Sequence, residues 1–180
     1  MNHELGPPRR GLLPQLPLDV NSQIARVEYV VFTEADCALA WRTFSDLKLW
    51  PTFSDLYDSL RWQGSPWTPG SRLRLEIGKP FHTVVDRVIT VCMPPRHVGW
   101  ISHVRGYTME QWVSFDPYSG GGTRVSTWIE ITGAGLLVEE GRDVKIVKTL
   151  LASWFDKFVA ECDRVHGFND LRMGDSKSLD

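Results

Sequence analysis

The chain has 180 residues, 42% hydrophobic and 23% charged, which suits one globular domain large enough for a substantial core. The formal net charge is −2 with Lys and Arg dispersed, so no basic face for nucleic acid or an anionic membrane is expected. No apolar run is long enough for stable membrane insertion, and Met1 to Pro8 lacks the apolar core of a secretory signal.

Residues 1–22 carry Pro7, Pro8, Pro14 and Pro17 and read as a Pro-rich arm, whose Leu12, Leu13, Leu16 and Leu18 are available to pack on the body. From Gln23 to Phe32 β-branched and aromatic residues dominate, which predicts a strand. Thr33 and Asp36 form a T-x-x-D start signal for a short helix through Phe44, with Ala38, Trp41 and Phe44 facing inward. Ser45 or Asp46 caps a second short helix that Pro51 interrupts or ends.

Six strands follow, near 56–63, 71–78, 81–92, 97–104, 107–115 and 123–132. Turn signals separate them: Gly64 to Gly70, Gly78-Lys79-Pro80, Pro94-Pro95-Arg96, Arg105-Gly106, and Asp116 to Gly122. Such short connections imply antiparallel neighbours.

The chain closes on an amphipathic helix from Leu136 to Gly167. Val144, Val147, Leu151, Trp154, Phe158 and Val165 recur at helical spacing, flanked by Leu150, Phe155 and Cys162. The opposite face carries Lys145, Thr149, Ala152, Asp156, Ala160 and Asp163. Glu139 and Glu140 near the start and Arg164 and His166 near the end suit the helix dipole, and Gly167 is the expected stop. The globular domain is thus read as 23–168, followed by a polar tail, 169–180.

This order of elements resembles the START-like, helix-grip (SRPBCC) superfamily, and within it the polyketide cyclase/dehydratase-like group. The residues that carry the likeness are Trp41 to Asp46, Trp50-Pro51-Thr52-Phe53, Gly70, Pro94-Pro95-Arg96 followed by Trp100, Gly121-Gly122-Thr123-Arg124-Val125, and the closing helix. The resemblance implies an α+β, Bet v 1-like fold. A curved seven-stranded antiparallel sheet would wrap a long C-terminal helix, with two short helices after the first strand and a hydrophobic cavity between sheet and helix. Lipid and quinone carriers, hormone receptors and aromatic-ring cyclases share this plan without one catalytic motif, so the resemblance assigns no catalytic residue.

The turn positions also predict a register, pairing Ile77 with Phe81, Cys92 with His97, Val104 with Tyr107, and Phe115 with Thr123. Directly paired residues share a face. One face then reads in rows: Val91, Val98, Val113 and Val125; Ile89, Trp100, Gln111 and Thr127; Ser71, Arg87, Ser102, Met109 and Ile129; Val85, Val104, Tyr107 and Ile131. The other face collects Arg72, Asp86, His103 and Thr108, with Arg74, Glu76, His82, Glu110 and Arg124 nearby. The apolar face is expected to meet the long helix.

Polar groups on that apolar face mark the candidate ligand site. Arg87, Ser102, Tyr107, Gln111 and Thr127 would converge among Trp100, Met109, Trp154 and Phe158, against a wall that includes Val98, Val113 and Val125. Arg87 either pairs with a core carboxylate such as Glu28, or is left exposed by a bulge, or anchors a ligand carboxylate, phenolate or carbonyl. Gln111 and Thr127 either satisfy each other or face the ligand. Phe53 and Trp67 are the candidate gate, Trp67 lying in the loop from Gly64 to Gly70.

Five histidines show no metal-binding spacing, and no GxSxG or P-loop is present. His103 beside Asp86 resembles half of a catalytic pair but falls on the outer face. Cys37, Cys92 and Cys162 are odd in number and without zinc-type spacing, which points to a reducing, cytoplasmic setting. Neither a cofactor nor an oligomeric state is implied. The readings that stand are a carrier for a small hydrophobic molecule (lipid-, polyketide- or aromatic-type), a cyclase- or dehydratase-like enzyme assisting aldol or enolisation chemistry through Tyr107 or Arg87, and an interaction module with a filled core.

Overall fold

The computed structural model describes residues 24–104, 106–133 and 142–175, with side chains of the last helix placed from 144 to 168. The Pro-rich arm, Arg105, the stretch from Leu136 to Gly141 with Glu139 and Glu140, and the last five residues lie outside the described residues. The strands are β1 (Ile24–Thr33), β2 (Tyr57–Gln63), β3 (Arg72–Ile77), β4 (Thr83–Met93), β5 (His97–Val104), β6 (Tyr107–Pro117) and β7 (Thr123–Thr132). Helices α1 (Cys37–Ser45) and α2 (Trp50–Phe53) follow β1, and α3 (Arg142–Asp175) closes the chain. The strands form one seven-stranded antiparallel sheet in the order β1-β7-β6-β5-β4-β3-β2.

Local chemistry explains most element ends. The Asp36 carboxylate accepts from the Leu39 N–H at 2.7 Å and caps α1. Thr33 takes no part in that cap, since its hydroxyl donates to Asp163 on α3. On α1 the buried residues are Leu39, Ala40, Trp41, Thr43 and Phe44, while Ala38 is exposed. Pro51 does not end α2 but lies in its first turn, where a missing N–H costs nothing. Gly167 does not end α3, which continues to Asp175. Gly122 in the β6–β7 turn has φ +81°, and a side chain there would run into the Thr33 carbonyl at the end of β1.

The register differs from the turn-based expectation in two instructive ways. Pairings β3–β4 and β6–β7 are each displaced by two residues: Arg87 faces Leu73, and Gln111 faces Ile129. A two-residue shift preserves the face of every side chain. One-residue irregularities do not. A bulge between Ile89 and Val91 turns Val91 away from the apolar face and puts Cys92 opposite Val98.

Helix α3 lies across the apolar face. Leu151, Trp154, Phe155, Phe158, Val159 and Cys162 are buried beneath it together with Val27, Val31, Val98, Val113, Phe115 and Val125 of the sheet. Phe44 sits at the centre of an aromatic cluster, 5.4 to 6.4 Å from the rings of Trp41, Trp50, Trp67, Trp100, Phe115, Trp154 and Phe158. Two acids on the expected polar face of α3 tie it to β1. Asp156 accepts from the Tyr29 hydroxyl at 2.8 Å, and Asp163 accepts from the Thr33 hydroxyl and, at 2.8 Å, from the Glu34 N–H.

The outer face carries the ion pairs of Asp86 with Arg74 and Arg72, at 3.5 and 3.9 Å. It also carries stacked Trp112 and Trp128, with Arg26 over the latter ring at 4.6 Å. His103 bonds with Thr108 at 3.1 Å.

Phe158 is fully buried, so Phe158→Ala should cost about 3–5 kcal/mol in chemical denaturation. Asp163→Ala should cost about 1.5–3 kcal/mol through its charged hydrogen bonds. A loss below about 1 kcal/mol for Phe158→Ala would mean that this contact does not hold the fold.

Candidate functional site

Between α3 and the sheet, beside the aromatic cluster, lies a cavity of about 140 Å³. Its floor comes from β3 to β7 through Leu75, Ile77, Val85, Arg87, Trp100, Ser102, Met109, Gln111 and Ile129. Its roof is α3 through Val147, Leu150, Leu151, Trp154 and Phe155, and Phe44, Trp50, Leu56 and Tyr57 close one side.

Of the residues expected at the site, Arg87, Trp100, Ser102, Met109, Gln111 and Trp154 border this space. The others lie elsewhere. Phe158 is fully buried and stacked on Trp154 at 5.5 Å. Thr127 is occupied within the sheet: it accepts from Gln111 Nε2 at 3.1 Å and donates to the Trp112 carbonyl at 2.7 Å. Tyr107 is half-buried opposite Val104 at the end of β6. Phe53 packs against Trp154 and Phe158 at 5.5 and 6.3 Å. Trp67 donates its indole N–H to the Ser45 carbonyl at 2.8 Å and packs among Trp41, Phe44, Trp50 and Trp62. Its backbone adopts φ +54°, which a bulky residue holds only when its surroundings fix it. Val98, Val113 and Val125, expected in the cavity wall, are wholly buried under the aromatic cluster and do not border the cavity.

Arg87 is the central chemical feature. Among the described residues no carboxylate pairs with it; Glu28 instead binds Arg26 on the outer face at 2.7 Å. The guanidinium lies 4.7 Å from the centre of the Trp100 ring and 6.0 Å from that of Trp50. Cation–π attraction offsets part of the cost of enclosing a cation. Strand β4 fixes its direction, because Val85, Arg87 and Ile89 precede the bulge and point to the same face.

Sequence reasoning missed Tyr57 at the cavity edge. Counting back by alternation from inward Leu60 and Trp62 would turn Asp58 inward and Tyr57 outward. The register slips between Tyr57 and Ser59, and this reverses the phase. No composition cue marks that slip; in the structure, a side chain at Gly78 would collide with the Asp58 carboxylate.

Burial pushes the Tyr57 hydroxyl up to about 12 from 10.0, with Arg87 opposing, and burial lowers the Arg87 guanidinium, with Tyr57 opposing. Each side chain keeps some accessible surface yet is enclosed by protein in depth, as a residue bordering a cavity would be; enclosure governs its titration. At neutral pH Tyr57 is therefore a neutral O–H donor and Arg87 a cation. Neither of them, nor the Ser102 hydroxyl, has a hydrogen-bond partner among the described residues. Gln111 gives one of its two amide N–H groups to Thr127 and retains the other together with its carbonyl oxygen.

The folded state holds the Tyr57 proton more tightly than the unfolded chain, so stability falls as pH rises from 10.0 to about 12. Tyr57→Phe should reduce that fall. Urea midpoints measured across this range for both proteins isolate the effect, because Cys162, also pushed up to about 12, adds the same fall to each. Equal slopes would place the Tyr57 hydroxyl in solvent.

No protein-family model and no curated protein matches the sequence. Solved structures do match in shape. Hypothetical protein jhp0584 from Helicobacter pylori superposes with TM-score 0.64 at 11% identity, over 81% of this chain and 91% of that one. Truncated norcoclaurine synthase from Thalictrum flavum gives 0.61 at 14%, over 76% and 91%. The di-domain ARO/CYC BexL of the BE-7585A biosynthetic pathway gives 0.62 at 15%, over 80% of this chain and 50% of BexL. Ara h 8.0201 gives 0.62 at 12%, over 77% and 97%. At these identities the likeness is one of architecture: the chain has the START-like, helix-grip fold, also called Bet v 1-like.

Proposed function

We propose that this protein binds a small hydrophobic molecule in the cavity between α3 and the sheet. Arg87, Trp100, Ser102, Met109, Gln111 and Trp154, together with Tyr57, would be its contacts. The observation that carries the reading is the cavity itself: about 140 Å³, walled by aliphatic and aromatic side chains, with a few polar groups turned inward. A core that served packing alone would close such a space, since each unfilled methyl-sized void costs about 1 kcal/mol.

The alternative, assistance to aldol or enolisation chemistry, draws on Arg87 and Tyr57 as donors to a carbonyl oxygen. The cavity lining holds no carboxylate, histidine or cysteine among the described residues, so it offers no conventional base to take a proton from carbon. That balance favours binding over turnover.

The test is a titration with toluene or indole, followed by intrinsic fluorescence, since Trp50, Trp100 and Trp154 all border the cavity. Saturable quenching is expected, and Val147→Phe, which fills the space from the α3 side, should abolish it while far-UV circular dichroism stays unchanged. Unsaturated, linear responses in both proteins would count against a binding cavity.

A further inference from the structure

Resting on the binding reading above, the inward groups select the kind of ligand. Donors without partners among the described residues belong to four cavity-lining side chains: the Arg87 guanidinium, the Tyr57 and Ser102 hydroxyls and the Trp154 indole N–H. On the acceptor side Gln111 offers its carbonyl oxygen, and one of its two amide N–H groups goes to Thr127. No acidic side chain borders the space among the described residues. The site is therefore rich in donors, poor in acceptors and positively charged. Arg87 and Ser102 are direct cross-strand partners on one face of β4 and β5, so their polar groups are presented side by side.

Size narrows the choice further. An apolar cavity of about 150 Å³ holds one benzene ring, and this one measures about 140 Å³. Trp50, Trp100 and Phe44 present ring faces and edges within it. The guanidinium carbon lies over the Trp100 ring at 4.7 Å; this contact uses no N–H donor, and the guanidinium fork suits a two-pronged contact with a carboxylate.

We infer that the ligand is a monocyclic aromatic carboxylate, its ring held among Trp50, Trp100 and Val147 and its carboxylate bound by Arg87 with help from Tyr57 and Ser102. A long acyl chain or a polycyclic molecule exceeds the space. A neutral hydrocarbon would fill the apolar part but leave the cation without an anion.

The experiment is calorimetric titration of the intact chain with benzoate, benzamide and toluene at neutral pH. Benzoate is expected to bind at least tenfold more tightly than benzamide. Arg87→Met should weaken benzoate at least tenfold more than it weakens toluene, and Tyr57→Phe should weaken benzoate several-fold. If Arg87→Met does not fold, Arg87→Lys serves: it keeps the charge, loses the two-pronged geometry, and should still weaken benzoate measurably. Toluene and benzamide binding as tightly as benzoate would overturn the assignment of an anionic ligand while the cavity reading stood. Failure of all three to bind the wild type would overturn both.

Discussion

The contact between α3 and the concave face of the sheet organises this molecule, and it is filled unevenly. Around Phe44 the contact is crowded with rings, and Phe158, Phe115, Val113 and Val125 are wholly buried there. Toward β3 and β4 the helix presents Val147, Leu150 and Leu151 across a gap. One end of the interface therefore supplies stability and the other supplies space. The acids Asp156 and Asp163 pin the helix to β1, the edge strand at the other end of the sheet from β2 and β3.

Arg87 is where the general rules of a core are broken. An enclosed guanidinium without a counter-ion costs several kcal/mol, and the cation–π contact with Trp100 returns about 0.5–2 kcal/mol. Natural sequences accept such a deficit mainly where function requires it. Tyr57 and Ser102 border the same cavity without partners. The Trp154 indole N–H is likewise unmet, and several unmet donors in one space form a pattern that an isolated packing defect would not produce.

Much of this was legible in the sequence because its main signals are periodic. Strand order, the apolar face and the buried stripe of α3 follow from turns and alternation, and the two-residue register shifts at β3–β4 and β6–β7 leave those faces intact. Gln111 was read on the correct face for that reason, even though Ile129 rather than Thr127 lies directly opposite. One-residue slips carry no such protection. Tyr57 entered the cavity edge and Val91 left the apolar face because each adjoins a bulge. Helix ends differ from expectation at Pro51 and Gly167 because a proline in the first turn forfeits no hydrogen bond and a single glycine costs a helix only about 1 kcal/mol. The clamps at Asp156 and Asp163 were hidden because an acid on an outward face ordinarily signals solvent, and only the path of β1 brings Tyr29 and Thr33 to meet them.

A crystal structure of the protein soaked with benzoate tests most directly whether the gap under α3 is a ligand site. A ring is expected between Trp100 and Val147, with its carboxylate within about 3 Å of Arg87, a charge-assisted distance, and the fold otherwise unchanged. A cavity closed by movement of Val147 and Leu151 onto the sheet, with Arg87 turned to solvent, would contradict it.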